Sequence, residues 1–128
     1  MSTKVKFELE FPLRSSNKVL FNSISTPDGL SEWFADNVNV VKDRYIFEWD
    51  GSEEYARLVS KKPFESVKFQ WDREDEEDNT LFEFHIKIDP LTNDLALIVI
   101  DHADENEVEE STFLWNNLIG KLKQKLGA

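Results

Sequence analysis

The sequence predicts an α+β domain, a seven-stranded curved antiparallel sheet around a long C-terminal helix, with two short helices after the first strand. Three observations carry this expectation. Segment 106–126 repeats Val108, Thr112, Trp115, Ile119, Leu122 and Leu126 at alternating spacings of four and three, an amphipathic helix. Nearly every apolar run upstream alternates with period two instead, as half-buried strands do. A helical stripe this long needs a broad apolar partner, and a sheet curled around it supplies one.

Taken in order, segment 4–11 sets Val5, Phe7, Leu9 and Phe11 on one side and Lys4, Lys6, Glu8 and Glu10 on the other, a strand that Pro12 is expected to end. Ser15 or Ser16 can cap a short helix with Val19, Leu20 and Ile24 inward. Thr26 is the expected N-cap of a second helix, Pro27 its first residue, and Leu30, Trp33 and Phe34 its apolar face. Strands follow at 37–41 and 44–49, the latter with Tyr45, Phe47 and Trp49 on one face. Asp50-Gly51 signals a tight turn into a strand at 53–61, with Tyr55, Arg57 and Val59 on one side and Ala56 and Leu58 on the other. Val67, Phe69 and Trp71 then alternate, as do Phe82, Phe84, Ile86 and Ile88 within 80–89. Pro90 to Asn93 turns the chain into the most apolar strand, 95–102. In the last helix Leu114 and Leu118 widen the stripe, Asn106 and Glu109 have the form of a capping box, and Lys121, Lys123 and Lys125 complement the C-terminal dipole before Gly127.

Residues 1–128 suit one domain with one core. Ten Phe and four Trp in a chain 40% hydrophobic exclude wholesale disorder. Without cysteine there is no disulfide, thiolate metal site or thiol nucleophile. A formal net charge of −11 repels phosphate backbones and anionic membranes, so no nucleic-acid partner is expected. No run approaches the roughly 18 apolar residues of a membrane span, and no apolar signal region opens the chain, so a cytoplasmic location without membrane insertion is expected.

The run Lys18-Val-Leu-Phe-Asn-Ser-Ile-Ser-Thr-Pro-Asp-Gly-Leu-Ser-Glu-Trp-Phe34, with its closing Trp-Phe, resembles the START-like (SRPBCC, helix-grip, Bet-v-like) superfamily. The similarity is to the branch of homologues of the activator of heat shock protein 90 ATPase. Phe47-Glu-Trp-Asp-Gly51, Val67-Lys-Phe-Gln-Trp71 and Trp115 add to it, and the resemblance spans nearly the whole chain. It implies a helix-grip fold and one of two roles: binding a small hydrophobic ligand, lipid-like or polycyclic, or a co-chaperone-like protein interaction. Cyclases acting on polyketides occur on the same fold, an analogy from fold alone. No catalytic motif carries over residue by residue, and the long glycine-rich loop of the pollen allergens is absent.

The candidate ligand-binding residues are Trp33, Phe34, Trp49, Tyr55, Phe69, Trp71, Phe82, Phe84, Val99, Trp115 and Ile119, expected to face the space between sheet and helix. The same aromatic load serves a filled core equally well. Tyr45, Tyr55, Arg57 and Asp101 are candidate polar anchors. The turn after Trp49, the acidic run 72–78 and the loop 101–107 should emerge at one end as a negative rim, suited to a basic partner or a loose divalent-cation site, or simply to solubility and the dipole of the last helix. The spacing of a calcium-binding loop is absent, so no dedicated metal site is expected, and no cofactor either. His85 and His102 fall on the outer parity, and neither a serine elbow nor a phosphate-binding glycine loop occurs; catalytic residues are expected to be none. Ala96, Ile98 and Ile100 beside Leu81, and Phe113 off the helical stripe, point to a contact surface for a protein partner or a homodimer.

Overall fold

The period-two segments form one antiparallel sheet in which neighbours in sequence are neighbours in space, except at one edge. The computed structural model describes residues 4–73 and 80–127. Strand β1 (Lys4–Leu13) leads through helices α1 (Asn17–Ser25) and α2 (Pro27–Leu30) to strands β2 (Asn37–Val41), β3 (Arg44–Trp49), β4 (Ser52–Lys62), β5 (Ser66–Trp71), β6 (Leu81–Ile88) and β7 (Leu95–Asp104). A 3₁₀ turn (Glu105–Glu107) then opens helix α3 (Val108–Leu126). The sheet order is β1-β7-β6-β5-β4-β3-β2, so β2 to β7 are a meander and β1 closes on β7. This is the expected seven-stranded helix-grip architecture.

Local chemistry accounts for the punctuation. Ser16 Oγ accepts from the Val19 N–H at 3.1 Å and caps α1. Thr26 Oγ1 accepts from the Gly29 N–H at 2.9 Å and caps α2, with Pro27 in its first turn. Asp50 and Gly51 both have positive φ, 49° and 81°, as a type I′ hairpin turn requires. Gly127, at φ 70°, ends α3 in the left-handed region. A bulge between Leu58 and Ser60 bends β4, which helps the sheet wrap.

Five expectations need correction. Pro12 does not end β1: it pairs with Ala96, and β1 runs to Leu13, because an edge strand has a side on which no N–H is needed. Val19 is half exposed, and Phe21 takes its place beside Leu20 and Ile24 in the core. Asn106 does not cap α3, since the chain passes from β7 into the 3₁₀ turn; Glu107 occupies the N-cap without a side-chain bond, and Glu109 and Glu110 complement the dipole instead. Tyr55 and Arg57 lie on the outer face of β4, because Ala56 opposite buried Tyr45 is the inward residue. Finally, Ala96 and Ile98 are 9% and 7% exposed, so the middle of the expected outer patch is covered, while Leu81 and Ile100 are half-buried and Phe113 is exposed. Ile98 sits between Glu10 and His85 in register, beneath long charged side chains that also include the Glu10–Lys87 pair. Of the acidic run, positions 74–78 lie outside the described residues.

The core lies between the concave face of the sheet and α3. Phe47, Phe69, Phe82 and Phe84 fill its centre with essentially no exposure, and Leu20, Leu30, Ile119 and Leu122 close it from the helices. Helices α1 and α2 meet closely at Gly29, where a Cβ would stand 2.3 Å from the Asn22 carbonyl oxygen and 2.7 Å from Ser23 Cα. Backbone on both sides leaves no room to yield. Gly29→Ala is therefore expected to lower stability by at least about 2 kcal/mol, read from the urea midpoint at constant m-value.

Candidate functional site

The sheet and helices bring ten of the eleven predicted ligand-binding residues to the inner side, leaving out Tyr55. Trp33, Phe34, Phe69, Phe82, Phe84, Val99, Trp115 and Ile119 are buried there. Trp49 and Trp71 are half-buried at one end. Tyr55 stands apart on the outer face, its ring under the Arg44 guanidinium at 4.3 Å and its hydroxyl donating to Glu53 Oε1 at 3.2 Å.

Phe34 is the centre of the ring cluster. It stacks on Phe82 at 5.6 Å and on Trp115 at 5.8 Å, with interplanar angles of 24° and 23°. Phe47, Trp49 and Phe84 meet it edge-on at 5.1, 5.3 and 6.0 Å. Trp71 packs against Phe82 at 4.7 Å, and the Arg73 guanidinium lies 4.6 Å from the Trp71 ring while its Nε donates to Glu54 at 3.3 Å. These spacings are those of rings in direct contact, so the space expected between sheet and helix is largely filled by aromatic side chains.

The polar handles of the rings face protein. Trp33 Nε1 donates to the Ser23 carbonyl at 2.8 Å, Trp49 Nε1 to the Phe34 carbonyl at 2.8 Å, and Trp115 Nε1 to Asp101 Oδ2 at 2.8 Å. The Tyr45 hydroxyl, whose pKa is raised by burial, donates to the Ser25 carbonyl at 2.9 Å.

A cleft of about 280 Å³ with a mostly polar surface opens between the segment after α2 and helix α3. Trp33, Phe34, Asp36 and Trp49 form one wall, and Leu118 and Lys121 of α3 form the other. Leu118 and Lys121 were not among the predicted site residues. Leu118 had its signal in the widened apolar stripe, whereas Lys121 reads from sequence only as a helix-end charge.

Asp101 is the one acid on the inner parity of β7. Burial raises its pKa above the ordinary 3.8, opposed by the hydrogen bonds from Trp115 and the His102 amide and by the charges of His102 and Arg73. The histidines are engaged elsewhere: His85 Nε2 is 2.9 Å from Glu83 Oε1, and His102 Nδ1 is 2.9 Å from the Leu81 carbonyl oxygen. Among the described residues, no three acids or histidines gather to hold a metal ion, and no helix is long and apolar enough to cross a membrane.

Two outcomes follow from this geometry. Phe34→Ala removes the ring that joins sheet to helix and is expected to lose about 3–5 kcal/mol in chemical denaturation. Because Asp101 binds its proton more tightly folded than unfolded, its contribution to stability falls as pH rises from 3.8 through its folded pKa. Asp101→Asn abolishes that fall, so the variant's stability relative to wild type should rise across this window and then level, measured by urea unfolding over a pH series.

A family model described as the START-like superfamily domain matches residues 1–128. The solution structure of BfR322 from Bacteroides fragilis is 31% identical, covering 98% of this chain and 92% of that one, with a TM-score of 0.67. The Aha1 dimer from Colwellia psychrerythraea is 17% identical over 95% of this chain and 96% of that one, TM-score 0.81. DynU16, from the dynemicin biosynthetic locus, is 13% identical over 96% of this chain and 47% of that one, TM-score 0.80. The last two likenesses concern the fold alone. Comparison with curated protein sequences gives no match. Ring-filled grip, meander and family model agree, and the chain belongs to the START-like superfamily.

Proposed function

We propose that this is a non-catalytic START-like binding domain that takes a small, compact apolar molecule between sheet and C-terminal helix. The observation that carries the reading is the cleft itself, which Trp33, Phe34, Trp49 and Leu118 line together with Ser31, Glu32, Asp36 and Lys121. The Trp33 and Trp49 indole donors are already engaged within the protein, so these two rings offer burial, while Ser31, Glu32, Asp36 and Lys121 form a polar rim for the same molecule. At about 280 Å³ the cleft falls just below the roughly 300–1,000 Å³ found for ligand sites, which favours a small polycyclic or short-chain molecule over a long lipid. In this reading Trp33, Phe34 and Trp49 touch the ligand. Trp71, Phe82, Phe84 and Trp115 pack behind them, and Phe69, Val99 and Ile119 lie deeper in the core. The absence of a role in catalysis is supported by the place of His85 and His102 on the outer face, away from the rings.

A co-chaperone-like interaction domain is the second reading. It is favoured by phenylalanines left exposed on the surface, Phe64 and Phe113.

Native mass spectrometry of the protein purified gently from its own cells separates the two. A reproducible apolar adduct on wild type is expected. Trp49→Ala should weaken its rebinding by at least about tenfold, and Trp115→Ala, which removes the ring stacked behind Phe34, should weaken it as well, followed by quenching of the remaining tryptophan fluorescence. A clean mass without adduct would overturn the ligand reading; uptake undiminished in Trp49→Ala would show that the site lies elsewhere.

A further inference from the structure

Two surface features outside the cleft complement one another. The first is a groove of about 610 Å³ between α1 and the turn from β4 to β5, lined by Val19, Phe21 and Phe64 and edged by Lys18 and Lys61. Its turn is closed by the Glu65 N–H donating to the Lys62 carbonyl at 3.0 Å, with Pro63 second and Phe64 third. Phe64 has φ 64°, where such turns ordinarily place glycine. A bulky residue held there is strained. That strain displays a ring 48% exposed and 5.6 Å from Phe21, rather than hiding it.

The second feature is the face of α3 turned away from the sheet. Phe113 is 64% exposed and Leu114 56%, although both belong to the helix that closes the core. Glu109 and Glu110 precede them by about one turn, and Gly120, two turns on, has open space at its Cβ position. The face thus has an acidic N-terminal end, an apolar middle and a flat shoulder at Gly120, with Lys121 two turns beyond Leu114.

We infer that these two surfaces meet between two copies of this chain: Phe113 and Leu114 of one copy seat in the Val19, Phe21 and Phe64 groove of another. Charge decides the occupant. In a chain of net charge −11 this groove is edged by cations, and the α3 face carries the acids that would lie against Lys18 and Lys61. An amphipathic helix laid in an apolar groove is a recurrent mode of recognition. The general repulsion between two such acidic chains is screened beyond about 8 Å at physiological salt, which leaves local complementarity to act. Since the two surfaces differ, each contact leaves one of each kind free, and association proceeds past the dimer unless the arrangement closes.

Sedimentation velocity of the full chain at physiological ionic strength tests this. The weight-average mass should rise with concentration above 15.0 kDa. Phe64→Asn, which tolerates positive φ, and Phe113→Gln, on an exposed helical face, should each weaken association by at least about tenfold with circular dichroism unchanged. An equal mixture of the two variants should regain a one-to-one complex, because one intact groove and one intact helix face remain. A mass that stays at 15.0 kDa up to about 1 mM overturns the inference, as does association that survives both substitutions or a mixture that stays monomeric. None of these substitutions touches the cleft, so ligand uptake and self-association succeed or fail separately.

Discussion

The Phe34 ring ties sheet to helix at the centre of the core. It is held between Phe82, from the middle of the sheet, and Trp115, from the middle of α3, beside the direct contact of Phe84 with Trp115 at 5.7 Å. Its own position is determined upstream by short-range chemistry. Thr26 and Pro27 start α2, Gly29 allows that helix to lie against α1, and Trp33 is tied back to the Ser23 carbonyl. A few residues of local geometry therefore decide where a long helix rests on a wide sheet.

That arrangement also explains why a chain so rich in acids has a nearly uncharged interior. Tryptophan and tyrosine bring their donors to carbonyl groups near the ends of elements, so polar atoms are satisfied without importing charge. Asp101 is the departure. It sits where β7 leaves the core, accepts from Trp115, and fastens the helix to the strand that leads into it. On the convex face the opposite solution is found: Glu83, 9% exposed, is held by His85 and lies 3.8 Å from Lys68, and charged side chains roof over aliphatic ones.

Much of this is legible from residue order, and the failures have physical causes. Parity identifies strands because each has one buried face, and caps announce α1 and α2 because the bonds they make span three residues. Which face is buried is a tertiary matter. Small Ala56 gives no sign that it faces inward and Tyr55 outward; only the pairing of Ala56 with Tyr45 and Trp71 decides it. Pro12 reads as a strand breaker until β1 is known to be an edge. The shielding of Ile98 depends on side chains from adjacent strands, as does the burial of Glu83. At the site, the rings are visible as composition and parity. The far wall of the cleft depends on how α3 is seated, and the fullness of the interior on interlocking ring geometry, which no count of aromatics conveys.

The pairing of β1 with β7 has a consequence for the chain as it is made. Every other strand pair joins neighbours in sequence, but Lys4 faces Asp104. At about 5–20 residues per second, the first strand waits roughly 5–20 s for its partner during synthesis. Through that interval Val5, Phe7, Leu9 and Phe11 have no sheet to join. The lysines and glutamates between them, and the proline that follows, keep this waiting strand from pairing with another ribosome's product. The polar half of β1 thus guards the newborn chain before it ever becomes the surface of the finished one.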